Sequence, residues 1–229
     1  MKSNFKRIFL YVLGLFIMSV GIAFSVKSDL GVSPVSTIPY TMTLILGIEM
    51  GKATIIFHIA LIFVQILILG KAFKKKDFLQ IAVAFMFGYF TTFSNFLMSF
   101  VPEITSYPIR LVFLAISIMC VAIGILLYMS SDIVPLAGEG VMAAVSYKFK
   151  VPFSKAKIGF DVSMVTISTI CCILAIKSLG SVREGTIISA IFVGVMLGVF
   201  TRLFKKKILS FMGLNGESIK KEEHQRAVA

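Results

Sequence analysis

The chain has 229 residues, 58% of them hydrophobic, and a net charge of +12; its mean hydropathy is +0.96. A soluble domain does not need that much apolar surface, so the sequence reads as a polytopic membrane protein with no room for a second domain of ordinary size. Its lysines and arginines cluster in short connections and in the tail, which suits topology signals and anionic lipid headgroups and sets nucleic acid aside as a partner.

In chain order, uncharged or nearly uncharged runs mark six spans at residues 8–26, 53–70, 78–100, 111–131, 158–176 and 185–201. The start, with Lys2, Lys6 and Arg7 ahead of an apolar run, imitates a signal peptide. That run is too long for an ordinary leader and lacks a small-residue cleavage site, so it is read as a retained span. Two shorter segments, 33–46 and 135–147, follow the first and fourth spans. The stretch 27–52 around the first of them carries Pro34, Pro39, three glycines and two carboxylates. A polar-interrupted segment of that length, between two full spans, predicts a half-helix that enters the membrane and turns back. From Lys205 onward the composition predicts a polar, solvated cytoplasmic tail.

The two halves resemble one another. Sliding the chain by 103 residues puts Gly21-Ile22 on Gly124-Ile125 and Ser28-Asp29 on Ser131-Asp132; it also puts Lys52-Ala53, Ile55 and Phe57 on Lys155-Ala156, Ile158 and Phe160. That makes eight identities over residues 21–31 and 51–63, where chance in such apolar sequence gives roughly two or three. An offset of 106 continues the match into the last span, through Ile81, Ala84 and Gly88. The expected fold is all-α, with six transmembrane helices plus two re-entrant half-helices in two 3+3 repeats: 1–107, then 108–204, then a tail of 205–229. With the N-terminus inside and non-crossing half-helices, 18 basic residues fall on the cytoplasmic side and five outside. The positive-inside rule favours that arrangement, in the plasma (inner) membrane with both termini cytoplasmic. Three spans per half then make the second repeat inverted, an architecture of secondary transporters whose site lies at the repeat interface.

The polar residues within this frame are few. Ser33-Pro34 suits the start of the first half-helix, with serine at the N-cap and proline at the first helical position. Gly138 and Gly140 near the start of the second allow close backbone approach, and the free N–H groups of such a helix end attract an anion. Glu139 lies early in the second half-helix, and Lys157 and Asp161 are spaced to meet on one helix face. Ionisable groups in a membrane are costly and call for partners or a function. His58 occupies the repeat position of Asp161. The candidate substrate-binding set is therefore Glu139, Lys157, Asp161, His58, Ser33, Ser36 and Gly138. Structural alternatives stay open: an ion pair for Lys157 and Asp161, internal satisfaction for His58, and turn formation for Asp29 and Asp132. Gln65 and Asn95 suit hydrogen bonds between helices. Cys120, Cys171 and Cys172 read as small buried hydrophobes without metal spacing or a disulfide framework. No catalytic set, cofactor motif or metal motif appears, so the chain is not expected to be an enzyme.

D-L-G-V-S-P at 29–34 and V-R-E-G-T-I-I-S-A-I-F-V-G at 182–194, with Glu139-Gly140 and the Lys157/Asp161 spacing, resemble the YczE/YyaS/YitT family of bacterial integral membrane proteins over nearly all of residues 8–204. The chain departs from many members at Ser36, where they carry an acidic residue, and at Val195, where they carry proline. The resemblance implies a multi-span inner-membrane protein of permease type and leaves the substrate open. The reading reached is a secondary permease for a small anionic or zwitterionic solute, embedded among anionic lipids and free to form a homo-oligomer. Two rivals are the substrate-capturing membrane subunit of an ATP-driven vitamin uptake complex and a non-transporting scaffold. The first usually docks its partner through small residues spaced by four near the first helix; this chain has Gly14 and Gly21 there instead.

Overall fold

The computed structural model describes residues 2–213, with side chains from residue 4. Among the described residues there are eight α-helices and no strands: α1 (Lys2–Ser28), α2 (Pro34–Leu46), α3 (Met50–Leu69), α4 (Leu79–Ser99), α5 (Tyr107–Ser130), α6 (Ala137–Phe149), α7 (Phe153–Ile176) and α8 (Glu184–Phe211). Six of them, all but α2 and α6, are long and apolar enough to cross a membrane. The helices α2 and α6 have 13 residues each, about 20 Å of rise against a hydrocarbon core of about 30 Å. The chain is a multi-pass, all-helical membrane protein.

Local chemistry sets the helix limits. Pro34 opens α2, where a missing N–H costs nothing, and α2 stops at Gly47, whose φ of 65° suits glycine and whose N–H reaches the Thr43 carbonyl. The corresponding stop of α6 is Lys150, at φ 54°. Asp29 (φ 51°) and Asp132 (φ 49°) end α1 and α5 in the same left-handed region, which aspartate tolerates better than most residues. Each of these pairs is 103 residues apart, as are both limits of α2 and α6 and the first residues of α3 and α7. The helix plan recurs with the offset seen in the sequence.

The last helix differs from expectation. It does not end near residue 201 but continues through Lys205, Lys206 and Lys207 to Phe211. Leu209 and Met212 are buried against Leu10 of α1, and the Lys6 ammonium lies over the Phe211 ring, 4.8 Å from its centroid. Apolar residues after the lysine run give the extra turns something to bury. The expected polar character of 214–229 lies outside the described residues.

The helices α1 and α5 cross at the centre. A Cβ on Gly14 would stand 2.6 Å from the Tyr128 nitrogen and 2.8 Å from the Gly124 oxygen, and one on Gly124 would stand 2.6 Å from the Gly14 oxygen. Small residues let these backbones touch, which is how helices associate where the surrounding lipid is as apolar as they are. Gly21 is likewise filled against Val121, so the narrow face of α1 that was free in the sequence to dock an outside partner is taken by α5. Around this pair, α4 packs on α1, α8 on α5 and α3 on α4, while α2 and α6 each pack on both α3 and α7. The α3–α4 seam closes through Gly51 and Gly88. The helices α7 and α8 form no comparable seam, and only 6% of the apolar window of α8 is buried, against 56% for α1.

Candidate functional site

A cavity of about 210 Å³ lies between the α1–α5 pair, the two short helices, and α3, α7 and α8. Its polar lining comes from α2, α3, α6, α7 and α8; most of the rest is apolar, including Met18, Ile22, Phe87, Val121 and Ile125. Six of the seven residues singled out from the sequence line it: Ser33, Ser36, His58, Glu139, Lys157 and Asp161. Gly138 is not among the lining residues. A methyl group there would make ordinary contacts, 3.7 Å from Val35 and 3.9 Å from the Phe160 ring, so the close approach expected of it is not needed. Gly140 is the tight position: a Cβ would stand 2.7 Å from the Gln65 amide carbon.

The opening turns of the short helices face the cavity. Ser33 holds the N-cap position of α2, but its hydroxyl does not cap a backbone N–H; it donates to Ser36 Oγ at 3.1 Å. The first turn of α6 is filled by its own Glu139, beside the Tyr128 hydroxyl. A carboxylate suits the free N–H end of a helix, so α6 already holds an anion of its own, whereas α2 has none in its first turn. Behind α6, Gln65 donates to Gln80 Oε1 at 2.9 Å and to the Ala137 carbonyl at 3.1 Å, and Gln80 donates back at 3.2 Å. This buried amide pair ties α3, α4 and the start of α6 together. Asn95, expected to bridge helices, instead donates to the Thr91 carbonyl of its own helix at 2.9 Å.

On α7, Lys157 Nζ donates to Asp161 Oδ2 at 2.6 Å; the lysine side chain is 46% exposed and the aspartate 15%. The other aspartate oxygen, Oδ1, is buried without a hydrogen-bond partner. His58 of α3 is 3% exposed, and its Nδ1 is also unpartnered. Its ring makes a T-shaped pair with Phe87, 5.6 Å between centroids. Two lining residues, at positions 58 and 161 that the offset of 103 makes equivalent, thus each hold a buried atom without a hydrogen-bond partner.

That equivalence extends around the lining. Met18 and Val121, Ile22 and Ile125, Ser33 and Leu136, Ser36 and Glu139, Pro39 and Met142, and Thr54 and Lys157 are all lining residues 103 apart. The cavity sits where corresponding positions of the halves meet. In three of the pairs the first half contributes a neutral polar group (Ser36, Thr54, His58) and the second a charge (Glu139, Lys157, Asp161). One wall carries charge and the other carries hydroxyls and an imidazole.

Sequence reasoning missed a second set of equivalent residues. Arg110 reaches Asp29 at 2.9 Å, and Arg183 reaches the same carboxylate at 2.7 Å and the Asp29 carbonyl. Arg7 donates to the Ser131 carbonyl at 3.0 Å and the Asp132 carbonyl at 3.2 Å. Arg7 and Arg110 are themselves 103 apart, a signal that was present but lay outside the compared windows. Each arginine pins the end of the helix from the opposite half. Of the three cysteines, Cys172 is buried as expected, Cys120 is half-buried, and Cys171 is exposed on the outer face of α7.

The family model described as "Family of unknown function (DUF6198)" matches residues 5–202, and the chain belongs to that family. It is similar to "Uncharacterized protein YyaS" of Bacillus subtilis (strain 168), 22% identical over 200 residues that cover 87% of this chain and 94% of the relative. The YyaS-type resemblance read from the sequence therefore stands. No solved structure matches.

Proposed function

We propose that this member of the family is a secondary permease for a small anionic or zwitterionic solute, held in the cavity lined by Glu139, Lys157, Asp161, His58, Ser33 and Ser36. In this reading α2 and α6 are re-entrant, the halves are inverted repeats, and the termini are cytoplasmic in the inner membrane. The observation that carries it is the pairing of lining residues at the offset of 103. A transporter built from inverted repeats binds its solute at the repeat interface, among the ends of short helices. Half-helix backbone is stable in a membrane only where it is buried in protein or lines a cavity, and the start of each short helix meets that condition. The two poles a zwitterion needs are present: carboxylates on the α6–α7 wall, and a helix start without an acidic residue in α2.

The test is reconstitution into liposomes, with solute-evoked currents recorded for amino acids and small carboxylates. Parent protein should give a saturable current with at least one solute. The double variant Lys157→Met with Asp161→Asn should fold and give none. Full transport by the double variant would show that the pair only holds the structure.

A further inference from the structure

The charges around the cavity do not balance, and the imbalance names a ligand class. It is lined by two carboxylates, Glu139 and Asp161, and one ammonium, Lys157. The lysine is committed to Asp161 Oδ2 at 2.6 Å. Among the described residues Glu139 has no cation within ion-pair distance. Asp161 Oδ1 is a buried acceptor without a donor, and His58 Nδ1 can accept as well. A carboxylate in such a setting is costly unless a cation joins it. The remainder of the lining is largely apolar and includes the Phe87 ring beside His58.

The cavity also has a side entrance. Ala190 and Gly194 of α8 and Lys157 of α7 line it yet are exposed. Gly88 of α4 is pressed against Gly51 and Ile55 of α3, whereas Gly194, its equivalent at the offset of 106, has open space where a methyl would stand, with nothing within 4 Å. The seam that is shut between α3 and α4 is open between α7 and α8, beside the apolar, little-buried surface of α8.

We infer that the cavity takes a primary ammonium on an apolar body, which enters from the bilayer between α7 and α8 and places its nitrogen beside Glu139 and Asp161, with His58 on the facing wall. This rests on the permease reading only for the location of the site and goes beyond it in the ligand, assigning a cationic amine where that reading has an anionic or zwitterionic solute. The test uses detergent-purified full-length protein and a matched pair of probes, 2-phenylethylamine and 3-phenylpropanoate. A ligand that binds the folded state raises the unfolding midpoint by mass action. The amine should raise it by a few degrees, saturably, and the acid should not. Glu139→Gln should abolish the shift. Ala190→Phe, which narrows the entrance and replaces no charged group, should also abolish it, and it serves should Glu139→Gln not fold. A shift with the acid alone, no shift with either probe, or an undiminished amine shift in Ala190→Phe overturns the inference. Amine binding without any current in liposomes would remove the permease reading and leave this one in place. Current with a carboxylate but no amine shift would do the reverse.

Discussion

Breaking the Lys157–Asp161 pair from either side should have unequal effects. At roughly 4 Å between charge centres the attraction is about 1 kcal/mol in a water-like dielectric and about 4 kcal/mol at an effective dielectric of about 20. The pair lies between these limits, because the lysine is 46% exposed and the aspartate 15%. Lys157→Met leaves Asp161 with neither oxygen partnered, since Oδ1 already has no donor. Stranding one member of a buried pair costs about 3–5 kcal/mol; the half-exposed partner lowers this to about 2–4 kcal/mol. Asp161→Asn strands instead a flexible lysine in the second turn of α7, which begins at Phe153. Its ammonium can reach the interface, so the loss should stay below about 1 kcal/mol. With about 2–4 °C per kcal/mol for a chain of this size, Lys157→Met should lower the melting midpoint in detergent by about 5–15 °C. The double variant should return to within a few degrees of the parent. Equal losses in the two single variants, or a double variant as unstable as Lys157→Met, would refute the assigned burial of Asp161.

Two further outcomes follow from the packing and the topology. Gly14→Ala and Gly124→Ala drive a methyl into facing backbone at the α1–α5 crossing and should each cost about 1–3 kcal/mol by overpacking; Gly194→Ala meets open space and should be neutral or slightly stabilising, so similar midpoints for all three would contradict the crossing. In a background without Cys120, Cys171 and Cys172, a cysteine at Lys75 should react only with reagent supplied from the cytoplasm and one at Thr105 only from outside; labelling of position 75 from outside alone would remove the inverted arrangement.

Much of this architecture is legible in the sequence because membrane helices announce themselves by hydropathy, and their ends by residues with special backbone needs. Pro34, Gly47 and Asp29 mark limits that the structure keeps. The charged candidates are legible for a related reason: an ionisable group in an apolar run is anomalous whatever it touches. Features that depend on a partner from elsewhere in the chain are not legible. Gly140 rather than Gly138 is the tight glycine because Gln65 of α3 happens to press on it. Arg7 looks like a topology signal until α5 ends against it. The last turns of α8 follow three lysines that suggest an end, and only the apolar contact with Leu10 explains their continuation. The open side of the cavity was invisible for the same reason, since Gly88 and Gly194 occupy corresponding positions and differ only in what faces them.

The offset of 103 ties one backbone plan to two different sets of side chains, and the difference gives the cavity its chemistry. Had Ser36 been acidic like its counterpart Glu139, a third carboxylate would join Glu139 and Asp161 around one small, largely apolar cavity, and each would disfavour ionisation of the others. With serine there, Glu139 is the one lining carboxylate without a cation in ion-pair contact among the described residues, opposite a wall of hydroxyl and imidazole. A cation is then favoured on the α6–α7 side, while its apolar body meets methionine, isoleucine and phenylalanine from the central helices and α4. The same division suits the proposed permease, whose solute must be released again. In that proposed permease, charge held on one wall alone would orient the solute without clamping it from both sides, so a rocking of one half against the other would change its exposure while its ionic contact stayed intact.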